Sequence, residues 1–244
     1  MTPAAVTADA AWRELHRRAC EPYRAAGRFA WHFAQGKLGR DPVFRHLVEQ
    51  GLIRGRRVVD IGCGQGLFAS LLQHMGAVQA EGRWPAGWPA SEPASAYTGI
   101  ELMPRDVARA EHAVGQLPLA PRFVCGDMRE APLPACDLVV ILDVLHYVDH
   151  AAQRALLERV HAALAPGGRL LLRVGDMDSA AGFRASQWVD RIVTGIRGHR
   201  APPTWGRPLA EWQSLLQAIG FAVQARPMSQ GTPFANVLLI ADRA

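Results

Sequence analysis

The run Val58-Val59-Asp60-Ile61-Gly62-Cys63-Gly64-Gln65-Gly66 decides how the rest of the chain is read. It opens as a short buried strand and closes on three glycines at alternate positions. Glycine tolerates left-handed backbone and lets a main chain touch a ligand that a side chain would hold off. Leu67 to Met75 then continue as a helix, so its first free N–H groups face whatever lies at the end of the strand.

Spacing narrows the ligand. A dinucleotide fingerprint places glycines at the first, third and sixth positions. Here the sixth position is Leu67 and the third glycine comes one residue early, at Gly66. Asp60-Ile-Gly-Cys-Gly-Gln-Gly66 resembles instead the first motif of class I S-adenosylmethionine (SAM) dependent methyltransferases. In that family the acidic residue and the glycines hold the methionine end of SAM, which implies this role for Asp60, Gly62, Gly64 and Gly66. A tight strand-to-helix turn without a ligand is the plainer alternative.

The chain has 244 residues, about half of them apolar, which suits one α/β domain of the larger kind. No apolar run reaches the roughly 18 residues of a membrane span. Met1 to Ala11 lacks the apolar centre of a secretory signal, so a cytoplasmic protein is expected. The net charge is +5, but Lys37 is the sole lysine, and the arginines, with abundant Ala, Gly and Pro, fit a GC-rich coding sequence. They are dispersed rather than gathered in a stripe, which argues against a nucleic-acid partner. Cys20, Cys63, Cys125 and Cys136 form no CxxC pair, so reduced thiols and no structural zinc are expected.

Residues 1–55 are expected to form an N-terminal helical cap and 56–244 the cofactor-binding domain. Trp12, Leu15, His16 and Ala19 share a helical face. Asp41-Pro42 starts a helix that buries Val43, Phe44, Leu47 and Val48 and stops at Gly51. Strands are then expected at 56–61, 97–101, 121–125, 137–142 and 168–174, with helices at 66–75, 104–114 and 149–164. Such alternation implies a parallel sheet with helices on both faces. After a helix at 208–219, which buries Leu209, Trp212, Leu216 and Ile219, the runs 221–226 and 235–241 have no helix between them and should pair as an antiparallel hairpin. The expected fold is therefore α/β: a Rossmann-like seven-stranded sheet, mostly parallel with an antiparallel C-terminal strand. That is also the class I methyltransferase sheet.

In parallel sheets ligands gather at the carboxyl ends of the strands. The resemblance implies that Glu101, ending the second strand, accepts from the ribose hydroxyls. It implies that Asp127 accepts from the adenine amino group and that the Met128 backbone serves the ring nitrogen. Glu101 as a surface glutamate and Asp127 as a turn cap are the alternatives. Asp143 and His146 are the ionisable groups immediately after the fourth strand, where the sulfonium and the acceptor are expected. Asp143 is assigned to the cofactor. His146 is a candidate general base, or else a packed histidine. His146 and His150 stand at a helical metal spacing without a third ligand, and no metal is expected.

Two insertions interrupt the pattern. Residues 77–96 carry Trp84 and Trp88 but join a helix to the next strand, which places them at the amino ends, as surface packing or a subunit contact. Residues 175–207 leave from the carboxyl end of the fifth strand. Trp188, Val189, Ile192, Val193 and Ile196 lie there at helical spacing, flanked by Arg184, Arg191, Arg197, His199 and Arg200. This is a possible substrate lid, which would favour an acidic substrate or an acidic carrier protein, or a helix with a solvated arginine face. Phe29, Trp31, His32 and Phe33 either shield the reaction from water or form the apolar underside of the cap.

Methyl transfer from an activated sulfonium depends mainly on alignment, which is consistent with the absence of a nucleophile elbow or a carboxylate pair. Asp143-Val-Leu-His146 is not the (Asp/Asn)-Pro-Pro-(Tyr/Phe) run of amino-methylating nucleic-acid enzymes. Cys136 precedes its strand, the wrong end for an RNA cytosine enzyme. A small-molecule acceptor, methylated on oxygen, is the expectation. The competing readings are a non-catalytic SAM-binding scaffold and a nicotinamide-dependent reductase.

Overall fold

The computed structural model of the chain describes residues 6–177, 204–230 and 235–244. Contacts divide the chain into two compact units, Met1–Pro132 with Cys136–Leu138, and Leu133–Ala135 with Val139–Ala244.

The first unit begins with three helices: α1 Ala8–Cys20, α2 Arg28–Arg40 and α3 Pro42–Glu49. The Thr7 hydroxyl caps α1 and the Asp41 carboxylate caps α3, where Pro42 takes a position that needs no N–H donor. Trp12, Leu15 and Ala19 are buried as the helical spacing predicts, while His16 is half-buried with a ring nitrogen 3.2 Å from the Gln35 carbonyl. The buried face of α2 is Ala30, Ala34 and Leu38, while Trp31 and Phe33 are half-buried and His32 is exposed. Phe29 is exposed, stacked on Phe33 and covered by the Arg109 guanidinium at 4.7 Å.

Strand β1 (Arg57–Ile61), helix α4 (Leu67–Ala80), β2 (Ala96–Glu101), helix α5 (Pro104–Val114) and β3 (Arg122–Cys125) complete this unit. β1 pairs in parallel with β2, and β2 with β3. α4 runs five residues past its expected end at Met75 and takes up the start of the first insertion. Beyond it, Trp84 and Trp88 meet edge to face, Trp88 is buried, and Ser91 exchanges two hydrogen bonds with the Gln79 carboxamide. The tryptophans thus pack on each other within their own loop, which Ser91 and Gln79 tie to α4.

The second unit carries most of β4 (Cys136–Leu142), then α6 (His150–Ala163), β5 (Leu164–Gly175), α7 (Leu209–Ile219), β6 (Phe221–Pro227) and β7 (Asn236–Arg243). Asp149 caps α6 by accepting from the Ala152 N–H at 2.8 Å. The sequence reading carried this helix to Leu164. It stops at Ala163, because Leu164 is already extended, and β5 begins before the glycines. α7 buries Trp212, Leu215 and Leu216, while Leu209 and Ile219 stay half-exposed. Gly220, at φ +113°, ends it with a left-handed cap.

The seven strands run in the order β3-β2-β1-β4-β5-β7-β6. β7 is antiparallel to both neighbours, so the expected hairpin forms and its second arm separates β5 from β6. This is the mixed, mostly parallel sheet that the alternation predicts. The core of the second unit is its run of aliphatics, Val139 to Ile141, Leu170 to Leu172 and Leu238 to Ile240. Of the expected lid at 175–207, residues 178–203 lie outside the described residues.

Candidate active site

β1 ends at Ile61, and the chain turns through Gly62, Gly64 and Gly66 with φ of +75°, +53° and +74°. All three are left-handed, where side chains are strained. The loop is pinned to the end of β2, because the Ile100 carbonyl accepts the N–H groups of both Gly62 (2.8 Å) and Cys63 (3.2 Å). The Glu101 carboxylate grips it a second time, with Oε2 accepting the Gly64 N–H and Oε1 the Met103 N–H, each at 2.9 Å. The sequence reading gave Glu101 as a ribose acceptor or a surface glutamate. The structure makes it the tie between the glycine loop and the β2 exit. A carboxylate accepts at both oxygens, and both face the loop and the β2 exit.

The glycines differ in what they permit. A Cβ on Gly66 would meet the Phe123 ring at 2.9 Å and Val114 at 3.1 Å, so that glycine serves packing. A Cβ on Gly64 would meet nothing within 4 Å, so the loop there shows bare main chain to open space. Gly66 is also the N-cap of α4 and supplies no side-chain acceptor, which leaves the first turn's N–H groups to an outside partner. Open backbone, an uncapped helix start and a carboxylate beside them suit an anionic amino-acid tail joined to a ribose.

Asp60, to which the resemblance gives a share in the methionine end, lies in the interior. It is 5% exposed, and the Tyr97 hydroxyl donates to its Oδ2 at 2.6 Å. Burial pushes its carboxyl up to about 7, opposed by the Tyr97 hydrogen bond. Asp127 ends the β3 turn, accepting the Arg129 N–H at 2.8 Å and both guanidinium arms, which hold its carboxyl below the usual range. It therefore caps its turn, a role the sequence reading allowed together with the ligand one. Met128 is half-buried next to it. Leu102, 59% exposed directly after Glu101, was missed by the sequence reading. Its signal was an apolar side chain following the strand-end acid.

Behind the loop, the Tyr23 hydroxyl donates to the Gln65 carbonyl at 3.0 Å, and the Ser70 hydroxyl to the Ala19 carbonyl at 2.7 Å. The end of α1 and the single turn Glu21–Arg24 are thereby stitched to the glycine loop and to α4.

In the second unit β4 ends at Leu142. Asp143 follows at φ +62°, its carboxylate bound by the Arg173 guanidinium. A single helical turn, Leu145–Tyr147, carries His146, whose ring lies 4.2 Å from that of Tyr147. Gln153, fully buried, holds this turn in place. Its Nε2 donates to the carbonyls of Leu145, Val148 and Trp205, and its Oε1 accepts from Arg207. The His150 ring sits 3.1 Å from the Gly206 carbonyl. Among the described residues no three His, Cys, Asp or Glu side chains gather as a metal site, and no helix is long and apolar enough to cross a membrane.

Comparison with known proteins places this geometry. The family described as Methyltransferase domain matches residues 30–226. The carboxy-S-adenosyl-L-methionine synthase of Chromohalobacter salexigens is 32% identical over 128 residues, covering 52% of this chain and 42% of that protein. The demethylspheroidene O-methyltransferase of Rhodobacter capsulatus is 25% identical over 189 residues, 77% of this chain and 42% of that protein. The chain thus spans less than half the length of these relatives. Human N-acetylserotonin methyltransferase, solved in complex with SAM, superposes with a TM-score of 0.57 at 18% identity, over 98% of this chain and 60% of that one. With a family match across most of its length and the same fold in solved relatives, the chain belongs to the methyltransferase domain family and has the class I architecture.

Proposed function

We propose that the chain transfers the methyl group of SAM to a small-molecule acceptor, at an oxygen atom. The observation that carries this reading is the glycine loop, open at Gly64 and tied to Glu101. The bare main chain from Gly62 to Gly66 and the first turn of α4 would hold the amino-acid end, with the helix dipole favouring its carboxylate. Glu101 would accept from the ribose hydroxyls from its place at the end of β2. Leu102 and Met128 offer apolar surface for the base, and Asp127 an acceptor at its edge. Asp143 is assigned to the donor from its place after β4.

SAM supplies an activated methyl group: the carbon–sulfur bond breaks as the acceptor oxygen–carbon bond forms, and S-adenosylhomocysteine leaves. The chain's own contribution is alignment, which can be worth effective molarities of about 10⁵–10⁸ M. His146 is the proposed base that takes the acceptor's hydroxyl proton, an assistance worth roughly 10²–10⁴-fold. The O-methyltransferase relative supports oxygen as the acceptor atom. The basic residues of 184–200, read from sequence alone, support an acidic or carrier-bound acceptor.

Calorimetric titration with S-adenosylhomocysteine and, separately, with NADH tests the donor, and turnover of tritiated SAM against a panel of hydroxylated small molecules tests the reaction. Binding of the homocysteine nucleoside without NADH binding is expected. Preference for NADH would overturn the assignment, and binding without turnover would return it to a scaffold. A second reading follows from the carboxy-S-adenosyl-L-methionine synthase relative, in which SAM is itself the molecule altered. Mass analysis of the nucleoside product separates the two.

A further inference from the structure

Arg173 lies in the aliphatic run Leu170-Leu171-Leu172-Arg173-Val174 of β5 and is 2% exposed. A guanidinium so placed has lost its water and must recover the loss from its partners. One partner is Asp143. Nε donates to Oδ1 at 2.7 Å and Nη2 to Oδ2, a two-pronged grip. The backbone adds a third contact, as the Asp143 N–H donates to the Arg173 carbonyl at 3.3 Å.

Asp143 has two further properties. Its side chain remains 32% exposed, so the pair has a buried cation and a carboxylate that still reaches the surface. Its φ of +62° makes it one of two non-glycine residues in the left-handed region among those described. Such backbone persists where its surroundings over-determine it, and the inference runs from the outlier to function. Stability alone does not account for an arginine here. Replacing a buried ion pair with apolar groups of similar volume is often neutral or better, and β5 is otherwise aliphatic at this level.

We propose that Arg173 is a positioning residue for methyl transfer: it holds the Asp143 carboxylate and its left-handed turn in the form that engages the donor. The proposal rests on the functional reading above, which assigns Asp143 to the donor. It goes beyond that reading by naming a side chain that touches no reactant. Lysine is no substitute, because a single ammonium cannot grip both carboxylate oxygens in a fixed plane. Asparagine at 143 tolerates the left-handed region and lacks the charge that the guanidinium grips, and pairing it with Arg173→Met avoids a buried cation without its counter-charge.

The test is calorimetric titration of S-adenosylhomocysteine into the wild type, Arg173→Met, Arg173→Lys, Asp143→Asn and the double variant Arg173→Met/Asp143→Asn, with melting temperatures for each. Arg173→Met is expected to bind at least tenfold more weakly while melting within a few degrees of the wild type. Arg173→Lys should fall between the two. The double variant should bind no more weakly than Arg173→Met alone, because both changes remove one device. Equal affinity in Arg173→Met and the wild type would overturn the proposal, as would additive losses in the double variant. If Arg173→Met does not fold, Arg173→Lys and Asp143→Asn decide it: both must lose affinity, and wild-type affinity in either refutes it. A wild type that binds no S-adenosylhomocysteine overturns the functional reading itself, a result distinct from any difference among the variants.

Discussion

The hydroxyl of Tyr23, buried without measurable exposure, donates a 3.0 Å hydrogen bond to the main-chain carbonyl of Gln65, between the second and third glycines of the loop. A side chain from the N-terminal segment is therefore bonded directly to the loop's main chain. Tyr23→Phe removes the donor and leaves a buried carbonyl unpaired, a change of about 1–3 kcal/mol. Weaker S-adenosylhomocysteine binding, by roughly five- to tenfold, and a melting temperature lowered by a few degrees are expected. Unchanged affinity with lowered stability would show that the bond serves the fold alone.

The Gln65 side chain makes the opposite prediction. The residue is 1% exposed, and neither its Oε1 nor its Nε2 has a partner among the described residues. A buried carboxamide without partners is costly, and an apolar group of similar shape relieves that cost. Gln65→Met is expected to raise the melting temperature. A fall in a thermal shift measurement would mean that the carboxamide serves a purpose in the folded protein.

Gly64 and Gly99 separate binding from folding. Gly64→Val places its side chain in open space, with strain of about 1–2 kcal/mol from the left-handed backbone. It should abolish S-adenosylhomocysteine binding in a titration while the protein still melts cooperatively. A Cβ on Gly99 would meet the Cys63 sulfur at 2.7 Å and the Phe123 ring at 2.9 Å. Gly99→Val should unfold the first unit, seen as loss of the cooperative transition in circular dichroism.

Asp60 predicts a dependence on pH. Its carboxyl moves from 3.8 up to about 7 in the folded chain. The folded protein therefore holds a proton that the unfolded chain releases, and this group's contribution to stability declines as pH rises from about 4 to about 7 and levels off above. In Asp60→Asn that decline should vanish from a plot of melting temperature against pH. Tyr97→Phe removes the hydrogen bond that favours the ionised form, so the decline should extend to higher pH. Glu14 and Asp137, held at about 2 by their arginine partners, act in the other direction. Their stabilisation is present above about pH 4 and is lost as the pH falls toward 2.

What the sequence revealed and what it withheld follow from range. Helix α5 occupies residues 104–114 as expected, because Pro104 and an uninterrupted apolar period mark it locally. The glycine loop and the C-terminal hairpin were legible for the same reason. The start of β5 was not, since Pro166-Gly167 reads as a stop while the pairing that continues the strand is tertiary. The links that shape the candidate site are longer still. Tyr23 meets Gln65 across 42 positions and Arg173 meets Asp143 across 30, and neither an isolated tyrosine nor one arginine in an aliphatic strand leaves a periodic trace. Gln153 escaped notice because a polar residue on a helix usually reads as a surface one.

Because β7 lies between β5 and β6, its placement also fixes an order of events during synthesis. β6 pairs with β7 alone, so residues 221–227 have no partner until 236–243 have left the ribosome. The first unit, whose strands and helices close by residue 138, can be complete long before then. A ribosome halted between Pro227 and Asn236 would therefore carry a folded glycine loop and, separately, an unzipped sheet edge, the kind of strand that attracts chaperones and neighbouring chains.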